Sequence, residues 1–199
     1  MTRTPLILCV CVACALILPR VLPALAGLRL PTRRDLRPSP RLPVATGRRA
    51  RVAYALATWF GCGYAPLAPG TVGTLGAVPL YVLARPLGPW TVLALAVVCT
   101  FASVWSASVV CDHTGLKDPQ VVVIDEVAGV LFTLAATPPT LAGTVAAIVA
   151  FRLFDQLKPW PAYVAERDLP SGWGVTFDDV FAGAWGAATM AFLVRVGAL

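Results

Sequence analysis

Nine of the chain's ten acidic residues fall between Asp112 and Asp179, inside or beside apolar segments. A carboxylate taken out of water must be neutralised, paired or bound to metal. Ionisable groups within membrane segments mark functional sites by default. Three groups could carry chemistry: Asp118 with Asp125 and Glu126, then Arg152 with Asp155 and Lys158, then Asp178 with Asp179. On a helix, Arg152, Asp155 and Lys158 are successive i,i+3 neighbours, so one helix end presents a carboxylate flanked by two cations. The cations suit phosphate oxygens, and the carboxylates suit a hard ion. Mg2+ takes oxygen ligands, commonly one or two carboxylates with water and substrate phosphate. Together these groups are what a Mg2+-dependent phosphate site requires.

Each acid also has a plainer role open to it. Asp118 could only cap a helix, Asp155 could only pair with Arg152, and Asp179 could cap the last helix. Asp125–Glu126 resists such a reading, because two adjacent acids interrupt an apolar stretch. Asp112, Lys117, Glu166 and Asp168 read as loop or interfacial charges, and the lone His113 as an interface residue. Absences narrow the mechanism further. The chain has no Cys-x5-Arg loop, no Asp-x-Asp, no P-loop and one histidine, which disfavours thiolate, aspartyl-phosphate and histidine-based phosphatases. No CxxC pair occurs, so a Cys/His zinc site is not expected. The cysteines read as small buried hydrophobes.

The elements that position these groups must be built for lipid. The 199 residues are 58% hydrophobic and 13% charged, against roughly 45–50% and 25% in soluble domains. A soluble chain this short could not hide so much apolar surface. Trp90–Cys111 runs 22 residues without a charge, long enough to span, and Val180–Val194 is a second candidate. Thr71–Leu83 is short and glycine-containing, as in a tilted or re-entrant segment. Asp118–Pro119 reads as the N-cap and first-turn proline of a helix continuing through Val121–Ala135. Asp118 and Asp125 would then share one face, roughly 10 Å apart. Val121–Ile124 is also compatible with a buried strand. The expected fold is an all-α, multi-helix integral membrane bundle.

The net charge of +6 divides unevenly: residues 1–51 hold ten arginines and one acid, whereas residues 52–199 hold six basic and nine acidic residues. The basic part lacks aromatics, so it offers nucleic acid no stacking platform; arginines beside spans mark the cytoplasmic side or meet anionic headgroups. Leu6–Leu18 followed by Ala24-Leu25-Ala26 resembles a secretory signal, an uncleaved anchor, or sequence ahead of a true start near Arg48. Residues 29–51, rich in Arg and Pro, read as a disordered linker. The expected division is an extension over 1–51 and a catalytic domain over 52–199.

Four motifs in order resemble the phosphatidylglycerophosphatase A family over about residues 53–196. They are Pro69-Gly70-Thr71-Val72-Gly73-Thr74, Asp118-Pro119 with Ile124-Asp125-Glu126-Val127-Ala128-Gly129, Phe151-Arg152-Leu153-Phe154-Asp155-Gln156-Leu157-Lys158-Pro159, and Gly172-Trp173-Gly174 through Asp178-Asp179 and Ala182-Gly183. Ser171 stands where the family commonly has glycine, with Gly172 and Gly174 left to form a tight loop. The resemblance implies an inner-membrane enzyme in the bilayer that converts phosphatidylglycerophosphate to phosphatidylglycerol and inorganic phosphate with Mg2+. It implies Asp125, Glu126, Asp155, Asp178 and Asp179, with Asp118, around the metal. Arg152 and Lys158 would sit on the phosphate, and Thr71 and Thr74 with the backbone at Gly70 and Gly73 would cradle it. A small cation or proton transporter with buried carboxylates is the alternative, opposed by Arg152 and Lys158 at the same place.

Overall fold

A computed structural model of the chain describes residues 47–199. The signal-like run 6–26 and most of the expected linker lie outside the described residues. Arg48–Arg51, expected in that linker, instead form the first turn of helix α1 (Arg48–Ala57).

After α1 come α2 (Pro69–Gly76) and α3 (Val78–Ala84), so the expected short segment is two helices broken at Ala77. The long α4 (Pro89–Thr114) and α8 (Ser171–Arg195) are each long and apolar enough to cross a membrane. Between them lie α5 (Ile124–Ala135), α6 (Leu141–Leu157) and the short α7 (Ala162–Asp168). Among the described residues there are no strands, in agreement with the all-α expectation.

The sorting of α4 shows its solvent. Its buried positions follow a 3–4 residue period and are mostly small: Ala96, Cys99, Ser103, Ser106 and Ala107. Its exposed positions include Trp90, Val98, Phe101 and Trp105. Small residues inside and large apolar ones outside is the arrangement that lipid permits and water does not. The protein is therefore a membrane-associated bundle.

Small residues also set how closely the helices cross. Gly129 on α5 and Gly183 on α8 meet backbone to backbone. Four residues later Thr133 Oγ1 donates to the Gly183 carbonyl at 3.1 Å, and Gly186 packs on Thr133. The pairings advance together along both chains, so α5 and α8 run in the same direction. One turn before the crossing, Asp125 and Asp179 are brought together.

The approach to α5 differs from expectation. The helix starts at Ile124 rather than at Asp118–Pro119. Val122 N–H closes a turn on the Pro119 carbonyl at 2.9 Å, and Val123 N–H donates to Ala57 O at 2.8 Å. Val121 and Val122 are buried in one cluster with Tyr54 and Ala57 of α1, and Val123 is buried against Gly73 of α2, so tertiary contacts support this irregular backbone in place of a helix. Asp118 is therefore no N-cap, and the shared helical face with Asp125 does not exist. Gly172 and Gly174, expected in a tight loop, lie in the first turn of α8. The sharp turn falls at Ser171, with φ of 47°.

Candidate active site

The N-terminal ends of α2 and α5 and the C-terminal end of α6 meet the start of α8 and Glu166–Arg167 of α7 around one cavity of about 690 Å3. Its lining includes Gly70, Asp118, Asp125, Glu126, Arg152, Asp155, Lys158, Asp178 and Asp179. The structure thus gathers all three predicted groups.

At its floor, Asp125, Glu126 and Asp179 each offer a carboxylate oxygen, and the three oxygens lie within 4.8 Å of one another. Asp125 is held by its neighbour's backbone, with Glu126 N–H donating to Asp125 Oδ1 at 3.0 Å. Asp179 N–H likewise donates to Asp178 Oδ1 at 3.0 Å. Asp178 and Asp179 stand well inside α8, so neither caps it. Burial pushes Asp125 up to about 6. Burial and then the Asp125 charge push Glu126 well above the carboxylate range, with Arg152 acting weakly against them.

The cations form the facing wall. Arg152 Nη1 lies 2.9 Å from Asp155 Oδ2 and 3.8 Å from Glu126 Oε1. Lys158 Nζ sits 2.8 Å from Asp178 Oδ2 and 2.8 Å from Glu166 Oε1. Burial would lower the Lys158 pKa, but Asp178 and Glu166 outweigh it and raise it. Lys158 ends α6 in the left-handed region, φ 43°, its N–H bonded to Phe154 O at 2.8 Å. A non-glycine residue there costs roughly 1–2 kcal/mol, and the two ion pairs hold it in place.

Gly70 is the close-approach position. A Cβ there would strike Glu126 Oε1 and lie 3.2 Å from Arg152 Nη1. The other expected cradle residues are not at the cavity. Thr74 is fully buried and donates to Gly70 O at 2.9 Å. Gly73 packs on Val123, and Thr71 is exposed outside the lining. Conversely, Glu166 and Lys117, taken as bystanders, line the cavity with Arg167. No spacing in the sequence singles out Glu166, because the turn of chain between Pro159 and Pro161 delivers it. Asp112 and Asp168 are exposed and outside the lining.

The residues present fit a divalent cation. The cavity holds seven carboxylates against four cationic side chains, so a phosphate dianion entering alone would be repelled. Glu126 Oε2 is buried with no hydrogen-bond partner, an expensive state for a polar atom. The donors are all oxygen, the set for Mg2+ or Mn2+ rather than a softer metal.

Comparison with known proteins identifies the family. Residues 55–194 match the family model described as phosphatidylglycerophosphatase A. The chain is 35% identical over 142 residues to phosphatidylglycerophosphatase A of Escherichia coli, covering 70% of this chain and 82% of that protein. It is 33% identical over 144 residues to the protein of that name from Haemophilus influenzae, covering 71% and 88%. A Bacteroides thetaiotaomicron protein, provisionally named a phosphatidylinositol-3-phosphatase, is 38% identical over 138 residues, covering 65% and 86%. No solved structure gives a significant match. The chain belongs to the phosphatidylglycerophosphatase A family and is a lipid phosphatase.

Proposed function

We propose that this enzyme hydrolyses the terminal phosphate of phosphatidylglycerophosphate, giving phosphatidylglycerol and inorganic phosphate. Asp125, Glu126 and Asp179 hold Mg2+, and the cavity opens to the cytoplasm from a multi-pass protein of the bacterial inner membrane. The observation that carries the reading is the three-carboxylate cluster facing Arg152 and Lys158 within one cavity. When bound, Mg2+ would neutralise phosphoryl oxygens and lower the pKa of a water it holds.

The chain's own residues do the rest. Arg152 and Lys158 orient the phosphate and offset charge that develops on its oxygens. Asp155 and Asp178, already hydrogen-bonded or ion-paired to cations, are placed to take a proton from attacking water. The water oxygen bonds to phosphorus, the ester P–O bond breaks, and the proton finishes on the hydroxyl of the released lipid. The same two cations oppose a cation transporter, because they would repel its cargo.

The membrane orientation draws on how the charges sort. Arg48, Arg49, Arg51, Lys117, Arg152, Lys158 and Arg167 belong to the cavity end of the bundle. Arg85, which lines a second cavity beside Val194, and Arg195 belong to the opposite end. The positive-inside rule then puts the cavity on the cytoplasmic side.

Phosphate release by the purified enzyme tests the reading. Phosphatidylglycerophosphate should be cleaved with Mg2+, not after EDTA, and in preference to phosphatidylinositol 3-phosphate. Full activity without divalent metal would sink the metal assignment. Preference for the inositol lipid would move this chain's substrate to that named for the Bacteroides relative.

A further inference from the structure

A cavity lined by so many charges suits a phosphate and its glycerol, but the acyl chains of a lipid must leave it across an uncharged edge. Most of the rim is closed by polar residues of α6, α7 and the turn before α5. The exception is Ala68–Pro69, the start of α2. The chain leading to that edge is the loop between α1 and α2. It carries Phe60, Tyr64 and Leu67, which are 74%, 55% and 62% exposed.

This loop is built to hold those side chains outward. Trp59, Phe60 and Ala68 all have left-handed backbone, at φ 44°, 54° and 47°. Such conformations persist only where the surroundings enforce them. Here Trp59 Nε1 donates to Gly76 O at 2.9 Å, and Gly61 N–H donates to Thr58 Oγ1 at 3.1 Å. Gly63 packs directly on the Val121 carbonyl. A loop with this much enforced backbone and three large exposed apolar side chains, continuous with the rim of a charged cavity, is an apolar surface awaiting an apolar ligand.

We propose that the loop of residues 59–68 is the acyl-chain platform of the site. The lipid lies with its phosphate in the cavity and its chains over Ala68–Pro69 against Leu67, Tyr64 and Phe60. This rests on the lipid-phosphatase reading of the cavity. The competing exit is past Leu153, Leu157 and Trp160 at the end of α6, where Trp160 is also exposed.

The test compares dioleoyl with dihexanoyl phosphatidylglycerophosphate, using the full chain in mixed micelles. The double variant Phe60→Ser, Leu67→Ser should lose at least about tenfold in kcat/KM on the long-chain lipid relative to the short-chain one. Trp160→Ser should leave that ratio within about twofold of wild type. An unchanged ratio in the double variant, or a selective long-chain loss in Trp160→Ser, overturns the platform. If the double variant fails to fold, a phosphatidylglycerophosphate with a diazirine on its acyl chain decides with the wild-type protein. Labelling within residues 59–69 supports the platform, and labelling only within 153–160 overturns it. No phosphate release by wild type from either lipid would instead sink the phosphatase reading beneath it.

Discussion

Gly129 and Gly183 touch at the crossing of α5 and α8, one helical turn beyond Asp125 and Asp179. A Cβ on Gly129 would lie 2.6 Å from Asp179 O and press on the Phe151 ring, and a Cβ on Gly183 would strike the Gly129 backbone. Neither helix backbone can yield cheaply, so the added methyl must force the helices apart. Overpacking of this kind costs typically 1–3 kcal/mol. Gly183→Ala should therefore lower the unfolding temperature and cut kcat/KM at least about tenfold while raising the Mg2+ requirement. Unchanged metal dependence in a folded Gly183→Ala enzyme would uncouple the crossing from the site.

The cluster itself is tested by removing charge without volume. Asp125→Asn, Glu126→Gln and Asp179→Asn should accumulate in the membrane near wild-type levels. Each should lose at least about tenfold activity, roughly 1.4 kcal/mol in the barrier, and need more Mg2+ for half-maximal rate. Asp155→Asn should lose a similar factor with the Mg2+ requirement little changed, because Asp155 is the 2.9 Å partner of Arg152 and stands outside the three-oxygen cluster. Normal turnover in both Asp125→Asn and Asp155→Asn would move the site elsewhere.

The pH dependence has a definite sign. Burial raises Asp125 to about 6 from a reference of 3.8, and burial with the Asp125 charge raises Glu126 well above its ordinary value. A carboxyl raised on folding favours the native state when protonated. Metal-free protein should accordingly be most stable in acid and lose stability as pH rises through about 6. Metal binding needs the ionised carboxylates, so Mg2+ affinity should weaken as pH falls through the same range. Thermal unfolding at pH 5.5 and 8, in EDTA and in Mg2+, checks both. A higher unfolding temperature at pH 8 than at pH 5.5 in EDTA would contradict the assignment.

Most of this site was legible before the fold was known, and the reason is physical. Carboxylates and cations in an apolar chain are costly, so their presence at Asp125–Glu126, Arg152–Lys158 and Asp178–Asp179 announces a purpose without any structure. What sequence could not deliver depended on tertiary contacts. Asp118–Pro119 has the local chemistry of a helix start, yet a turn closed by Val122 N–H on Pro119 O and a hydrogen bond from Val123 to Ala57, 66 residues earlier in the chain, keep the run irregular. Glu166 looks like any exposed acid until the chain turns back after Pro159 and sets it on Lys158. Thr74 has the right residue type for a phosphate cradle, but its hydroxyl bonds one turn back to Gly70 O, as helical threonines do.

Membrane orientation can be read in intact cells. In a background without other cysteines, Asp168→Cys marks the exposed α7 beside the cavity, and Leu141→Cys marks the exposed start of α6 at the other end. An impermeant thiol reagent that has crossed only the outer membrane should modify position 141 and reach position 168 only after lysis. The reverse pattern would turn the cavity outward and contradict the charge sorting.

Lys158 gives the sharpest test of how the substrate is held, because its ammonium is shared between unequal partners. Asp178 is buried, with a side chain 9% exposed, whereas the Glu166 side chain is 45% exposed. Solvent screens the outer pair, and such exposed pairs are worth little, so an arriving phosphate should displace Glu166 and leave Asp178 in place. Glu166→Gln removes a competitor for the ammonium and should lower the substrate KM by about two- to fivefold. Lys158→Met removes the cation and also leaves Asp178 buried without its partner. It should raise KM and cut kcat together by at least about tenfold, with some loss of stability. The opposite signs on KM are the discriminating result. If Glu166→Gln raises KM as Lys158→Met does, Glu166 serves to hold the lysine in place rather than to compete for it.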